Sequence, residues 1–294
     1  MKRTGFITIV GRPNVGKSTL LNAILGEKIA IVSPKPQTTR NRIAGIETRG
    51  EDQFVFLDTP GIFKSQNSLG DFMVKTANST MQDGDAVILV ADAGFAPGDV
   101  EEGIMAYLKR SGIPGILALN KVDLYRREQI AATIAAYAAK YDFFAVVPIS
   151  AKKGKYVSEV LDECAKLLRE GEWFYEEDMI TDQSQRQMAA ESIREKILRN
   201  VDKEIPHGVA VMIEAYEEEE DLVRIRAEIF CEKASHKGIL VGKNGETLKR
   251  IGSYAREDLE RLLEKKVYLN LWVKVKENWR DSQRGILNFG YTEN

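Results

Sequence analysis

Residues 11–18 read Gly11-Arg12-Pro13-Asn14-Val15-Gly16-Lys17-Ser18, a GxxxxGK[ST] spacing whose chemistry is phosphate capture. Glycines let successive backbone N–H groups turn inward around phosphate oxygens, and a helix N-terminus beyond them adds partial positive charge. Asn14, Val15, Gly16, Lys17, Ser18 and Thr19 are therefore expected to hold phosphates, with Lys17 reaching the β- and γ-phosphates and Ser18 Oγ a Mg²⁺ ligand. Asp58-Thr59-Pro60-Gly61-Ile62 is expected at the same site. Asp58 ends an apolar run, a place that suits a Mg²⁺ contact, commonly through water, and the Gly61 N–H is placed to sense the γ-phosphate. Asn120-Lys121-Val122-Asp123 decides the base. Guanine offers two adjacent donors that one carboxylate accepts bidentately, whereas adenine leaves Asp123 unpaired, a penalty of about 10⁴ in affinity. Ser150-Ala151-Lys152 can present backbone N–H groups to guanine O6. GTP or GDP with Mg²⁺ is the expected ligand.

These motifs need elements to position them, and the hydrophobic pattern supplies candidates. Strand-like runs at 6–10, 53–57, 86–91, 115–119 and 143–149 alternate with helical patterns ending at Leu25 and covering 99–110, 127–140 and 157–169. Near-continuous apolar strands separated by helices imply a doubly wound, mostly parallel α/β sheet. With 294 residues there is room for two domains. Residues 171–182 are acidic, aromatic and aperiodic, and read as a linker. The rhythm then becomes helix, strand, strand, helix, helix, strand. Lys+Arg (42) and Asp+Glu (44) nearly cancel, so any nucleic-acid partner must be sought in local charge. Two distant cysteines, Cys164 and Cys231, exclude a disulfide scaffold or zinc ribbon and suit a reducing cytosol. No apolar run reaches the ~18 residues of a spanning helix, so a cytoplasmic protein is expected.

In the second half, Ile239-Leu240-Val241-Gly242-Lys243-Asn244-Gly245 followed by Leu248, Lys249, Arg250 and Ile251 carries GxxG between two helical patterns. In a KH domain such a turn lets helix ends approach a sugar–phosphate backbone while aliphatic side chains form a groove for single-stranded bases. Ile239, Val241, Gly242, Lys243, Asn244, Gly245, Lys249 and Arg250 are the candidate RNA contacts. Residues 233–284 hold 13 Lys+Arg against 7 Asp+Glu, net +6, while 214–232 hold 2 against 8, net −6. The acidic tract 217–221 reads as a solvated hairpin turn rather than a metal site. Trp272 and Trp279 read as core residues, with base-stacking platforms the alternative.

The four nucleotide motifs resemble those of Ras-like translation-factor GTPases over residues 1 to about 170. By that resemblance Gln37-Thr38-Thr39-Arg40 is switch I, and Thr39 the second Mg²⁺ ligand, with Thr38 competing. Lys17, Thr39 and Gly61 form the expected catalytic set. Ile62 stands where a water-orienting Gln would stand, so unassisted hydrolysis is expected to be slow. GTPases with this substitution often bind K⁺ near the leaving phosphate through the P-loop asparagine, here Asn14; the alternative is that Asn14 merely shapes the loop. The ordered set, including the KH-like module and Leu271-Trp272-Val273-Lys274-Val275-Lys276, closely resembles the Era family of bacterial GTPases across essentially the whole chain. The resemblance implies a GTP-binding domain over 1–172, a linker over 173–182 and a smaller α+β type II KH domain over 183–294. It implies a monomer that binds the 3′ end of 16S ribosomal RNA and assists assembly of the 30S ribosomal subunit. Peripheral association with the inner membrane is implied by the family alone. Two rivals remain: an RNA-binding module in which nucleotide is structural, and a GTPase signalling through its C-terminal domain to a protein partner that couples growth or cell cycle to ribosome status.

Overall fold

The computed structural model describes residues 1–202 and 204–291. They divide into two compact units, the first comprising residues 1–182 apart from 67–69, the second 67–69 and the chain from Gln183 onward.

The first unit runs β1 (Arg3–Val10), α1 (Lys17–Leu25), β2 (Ile43–Arg49), β3 (Asp52–Asp58), α2 (Ser68–Asp83), β4 (Ala86–Asp92), α3 (Asp99–Ser111), β5 (Gly115–Asn120), α4 (Arg127–Ala138), β6 (Ala145–Pro148), α5 (Val157–Ala165) and the short β7 (Arg169–Glu170). The sheet order is β2-β3-β1-β4-β5-β6, with β7 on the side of β1. Its ladders are parallel except β2–β3 and β1–β7. Strands β4 and β5 are buried almost end to end, as parallel strands covered on both faces must be. Leu20 and Leu21 of α1 pack with Val160, Leu161 and Cys164 of α5 on one face; Ile104, Met105 and Leu108 of α3 pack with Tyr137 of α4 on the other. Because β1 lies between β3 and β4, the strand order reverses there, and the crevice at the carboxyl ends of these strands is where such sheets take ligands.

In this unit β2, α2 and the two-residue β7 lack a counterpart in the sequence pattern. Strand β2 carries Gly45 in its middle; a Cβ there would stand 2.7 Å from Leu21 Cδ1, so close helix packing demands glycine and interrupts the alternation. Helix α2 carries Gly70 in its first turn and several Ser and Thr residues, which weaken its periodicity. The stretch expected as a linker is an ordered strap on the sheet edge. The Ile46 N–H donates to Ile180 O at 2.9 Å and Thr181 Oγ1 donates to Ala44 O at 2.7 Å. Gln53, fully buried, accepts from the Phe174 and Tyr175 N–H groups through Oε1 and donates to Tyr175 O through Nε2. The strap works through backbone groups, which leave no periodicity in a sequence.

The second unit runs α6 (Gln185–Asn200), β8 (Ala210–Glu218), β9 (Leu222–Cys231), α7 (Ala234–Val241), α8 (Glu246–Leu263), β10 (Lys266–Val275) and α9 (Gln283–Asn288). Ser184 and Gln187 form a capping box at the start of α6. The three-stranded sheet has the order β10-β9-β8, with β9–β10 parallel and β8–β9 antiparallel. Its core joins Ile193 and Ile197 of α6 to Ala227, Ile229, Ile251, Ala255 and Val273. Trp279 belongs to the interior, 1 % exposed, with Nε1 donating to Gly208 O at 3.0 Å. Trp272 does not: it is 59 % exposed, against the expectation of a core residue. Val267 and Val273 of β10 turn to the helices, and strand alternation then puts Trp272 on the opposite face. Of the tract 217–221, Glu217 and Glu218 end β8 and residues 219–221 turn into β9, with Glu219 paired to Arg224 and Glu218 to Lys265; no metal-ligating cluster of His, Cys, Asp and Glu occurs among the described residues. No described helix is long and apolar enough to cross a membrane.

Replacing Gln53 with Ala would take the partner from two part-buried N–H groups of the strap and from the Tyr175 carbonyl, where a fully buried group would lose about 1–3 kcal/mol. The expected result is a loss of about 2 kcal/mol in the urea unfolding of the full chain, with faster proteolysis within 173–182. Unchanged stability and proteolysis would show that the strap holds without Gln53.

Candidate functional site

The loop 11–16 leaves the carboxyl end of β1 and enters α1 through backbone that only particular residues tolerate. Gly11 and Gly16 have φ of 147° and 105°. A Cβ on Gly16 would lie 2.3 Å from Asn120 Nδ2, and one on Gly11 2.3 Å from the Val90 carbonyl. Asn14 takes the left-handed conformation at φ 63°, a region asparagine enters more readily than most side chains, and its Nδ2 donates to Pro34 O at 2.8 Å. Its Oδ1 has no hydrogen-bond partner among the described residues. A crevice is lined by Asn14, Gly16, Lys17, Ser18, Thr19 and residues of the segment 31–39, with Gly61 at its rim. Gly61 sits so tightly on the loop that a Cβ would fall 2.7 Å from Pro13 N, and the Ile62 N–H donates to Gly11 O at 3.1 Å.

Lys17 lines this crevice and is buried in it, and Asp58 is buried behind Ser18. Lys17 Nζ donates to the carbonyls of Gly11 and Arg12, at 3.1 and 2.8 Å. Burial pulls its ammonium down to about 8, with the Asp58 charge opposing. Burial likewise pushes the Asp58 carboxyl up to about 6, against the Lys17 charge and the Ser18 and Thr39 hydrogen bonds. Asp58 Oδ2 accepts from Ser18 Oγ at 2.6 Å and, at 3.5 Å, from Thr39 Oγ1; the two hydroxyls are 2.8 Å apart. The other carboxylate oxygen, Oδ1, is buried without a hydrogen-bond partner. Hard oxygens grouped this way, one of them orphaned, fit Mg²⁺, which is held through one or two protein oxygens plus phosphates and water. The same geometry separates the two switch threonines: Thr39 joins Ser18 and Asp58, whereas Thr38 Oγ1 turns back to Lys35 O at 2.6 Å.

The base motifs meet at the ends of β5 and β6. Ser150 Oγ donates to Asp123 Oδ1 at 2.6 Å, which orients that carboxylate. Lys121, at φ 68°, pairs through Nζ with Asp92 at 2.8 Å. Asn120 faces other loops: Nδ2 donates to Val15 O at 2.8 Å, and Oδ1 accepts from the Lys121 and Ala151 N–H groups at 2.8 and 2.9 Å. Of the N–H groups expected to meet guanine O6, Ala151's is thus bonded to Asn120 and Ser150's to Lys155 O at 3.0 Å. Asp92 has no motif signal of its own and is found only through the fold.

In the second unit the GxxG turn lies between α7 and α8. Gly242 has φ 76° and Gly245 φ 81°, with Asn244 at 52°. A Cβ on Gly242 would meet Thr247 Oγ1 at 2.3 Å and the Thr247 N at 2.9 Å, so the turn admits no side chain there. A groove beside it is lined by Gly245, Leu248, Lys249, Arg256, Leu269 and Leu271. Ile239 is 51 % exposed, Val241 half-buried, and Lys243, Asn244 and Arg250 are exposed around the turn.

Residues 6–121 match the family model described as a 50S ribosome-binding GTPase, and residues 204–280 match the KH domain. The chain is 48 % identical to GTPase Era of Ruminiclostridium cellulolyticum over 99 % of its own length and 98 % of that protein's. It is 48 % identical to GTPase Era of Clostridium kluyveri, covering 99 % and 100 %. Among solved structures, Era in complex with MgGDPNP and nucleotides 1506–1542 of 16S ribosomal RNA superposes with a TM-score of 0.96 at 37 % identity, covering both chains fully. An Aquifex aeolicus Era variant bound to GDP·AlF4⁻ superposes at 0.95 and 38 % identity, covering 99 % of this chain and 100 % of that one.

Asn120 makes three hydrogen bonds from a position 3 % exposed. Replacing it with Ala strands the Val15 carbonyl and two N–H groups, so a stability loss of about 3 kcal/mol is expected in the nucleotide-free chain. Thermal unfolding without ligand checks this; an unchanged midpoint, with only nucleotide affinity reduced, would show Asn120 to act on the base rather than on the loops.

Proposed function

The chain belongs to the Era family of GTPases, and on that premise we propose that it is a GTP-driven switch that holds the 3′ end of 16S ribosomal RNA in its KH domain during assembly of the 30S subunit. It hydrolyses GTP to GDP and phosphate. The observation that carries the reading is the presence on one chain of a crevice built for nucleotide phosphates and a GxxG turn whose backbone is left bare by Gly242. The related structure that holds MgGDPNP and 16S ribosomal RNA together supports the pairing of the two ligands.

In this reading Lys17 and the loop N–H groups bind the β- and γ-phosphates, and Asp123 accepts from the guanine edge, held by Ser150. Ser18, Thr39 and Asp58 hold Mg²⁺, which neutralises charge on the phosphates as the bond to the leaving group breaks. Gly61, pressed against Pro13, brings its N–H towards the γ-phosphate. GTP and Mg²⁺ together order Thr39 and Gly61 and with them both switch segments, and the loss of these contacts after hydrolysis resets RNA affinity. Ile62 has no polar atom with which to align water, so hydrolysis is slow without assistance. Asn14, whose Oδ1 remains an open acceptor, is the residue to hold a K⁺ ion beside the leaving phosphate. The protein acts as a monomer in the cytoplasm, and peripheral membrane association, where it occurs, rests on contacts other than a spanning helix.

RNA copying the 16S 3′ end, titrated into protein loaded with GDP or a non-hydrolysable GTP analogue, is expected to bind tightly only in the analogue state. Lys243→Ala should weaken it and lower the salt slope by about one. Equal affinity in both states would contradict the switch, and no binding in either would point to a protein partner instead. GTP hydrolysis should run faster in K⁺ than in Na⁺, and Asn14→Ala should remove the difference. Equal rates in the two salts for the unaltered chain would sink the K⁺ role.

A further inference from the structure

Strand β10 is the edge of the three-stranded sheet, and its two faces differ in kind. Leu269 and Leu271 face the helices and line the groove beside the GxxG turn. The alternate positions, Lys266, Tyr268, Asn270, Trp272 and Lys274, form one column on the open face. Tyr268 is 54 % and Trp272 59 % exposed, and the column contains no acid. On the neighbouring strand Arg224 stacks over the Tyr268 ring at 5.8 Å. Arg226, opposite Asn270, is exposed with no ion-pair partner among the described residues. Glu228, opposite Trp272 in the ladder, is paired with Lys274. At the far end of this face Phe289, just after α9, covers Phe230, ring centroids 4.8 Å apart, while Lys276 sits over Phe289 at 4.6 Å. Phe289 therefore closes that end, and the two aromatic rings of β10 stay exposed.

We propose that the open face of β10, with Trp272 and Tyr268 as stacking platforms and Arg226 between their rows, is a second single-stranded RNA surface, continuous around the strand edge with the GxxG groove. The inference rests on the RNA-binding reading above. Exposed aromatic rings on a sheet accept bases regardless of identity, since every base has a π-face, and guanidinium groups beside them meet phosphates or add a further stacking plane. One strand, one residue thick, separates the groove from this face. A strand of RNA longer than the few nucleotides a GxxG turn clamps can pass over that edge without crossing the acidic turn 217–221, which lies on the β8–β9 hairpin.

The test uses the full chain in both nucleotide states and two single-stranded RNAs from the 16S 3′ end, one of about four nucleotides, enough to fill the GxxG turn, and one of about ten. Trp272→Ala is expected to weaken the longer RNA by about tenfold, the value of one lost base stack, and to leave the shorter unchanged. Trp272→Phe should recover most of the loss, and Lys243→Ala should weaken both RNAs. Because Trp272 is exposed, its variants should keep the unaltered thermal midpoint. If the longer RNA responds to Lys243→Ala but not to Trp272→Ala, the second surface is wrong, RNA binding through the groove stands, and the open face belongs to a protein. If neither RNA binds the unaltered chain, both readings fall.

Discussion

The nucleotide site depends on one amide. Asn120, at the end of β5, joins the P-loop at Val15, its own strand end at Lys121 and the following loop at Ala151. These segments lie far apart in sequence, and each leaves its strand as irregular backbone whose polar groups need partners. A side chain with one donor end and one two-lone-pair acceptor end meets all three requirements. It also dictates a neighbour: nothing larger than hydrogen fits on Gly16, because Asn120 occupies the space. Asparagine in the third motif therefore secures loop geometry, and in the proposed function the reading of the base is left to Asp123, itself held by Ser150.

Electrostatics around Lys17 and Asp58 show a crevice shaped for something absent from the protein chain itself. Each charge is disfavoured by burial, so the ammonium titrates low, near 8, and the carboxyl high, near 6. Their mutual attraction does not cancel the desolvation. An anionic phosphate beside Lys17 and a divalent cation beside Asp58 would reverse both effects. The unpartnered Asp58 Oδ1 is the same point expressed as a missing hydrogen bond. A chain folded for stability alone has no reason to keep such an arrangement.

Most of this was legible because the motif residues are contiguous and tied to strand ends. Gly11 to Ser18, Asp58 to Gly61, Asn120 to Asp123 and Ser150 to Lys152 each carry their spacing locally, and parallel strands such as β4 announce themselves as unbroken apolar runs. What escaped was non-local. Gly45 breaks the pattern of β2 because of Leu21, a residue on another element. The strap after Glu170 is held by Gln53, more than a hundred residues away. Choosing between Thr38 and Thr39 needs the position of Ser18 and Asp58, and choosing between Trp272 and Trp279 needs the direction of β10 relative to its helices. Asp92, the partner of Lys121, is one acid among many until β4 and β5 are laid side by side.

The KH unit shows the same division of labour: Gly242 is demanded by the closeness of Thr247, and the charges around it decide what the bare backbone meets. In the proposed switch, nucleotide is joined to output by the closing of residues 37–40 on the P-loop through Thr39, whose hydroxyl lies beside Ser18 and Asp58. The direct measurement is Mg²⁺ affinity, by titration of the metal into protein complexed with GDP or with a non-hydrolysable GTP analogue, for the unaltered chain, Thr38→Ala and Thr39→Ala. The account predicts that Thr39→Ala weakens Mg²⁺ only in the analogue complex and that Thr38→Ala leaves both complexes unchanged. Mg²⁺ affinity indifferent to Thr39 in the analogue complex would contradict it.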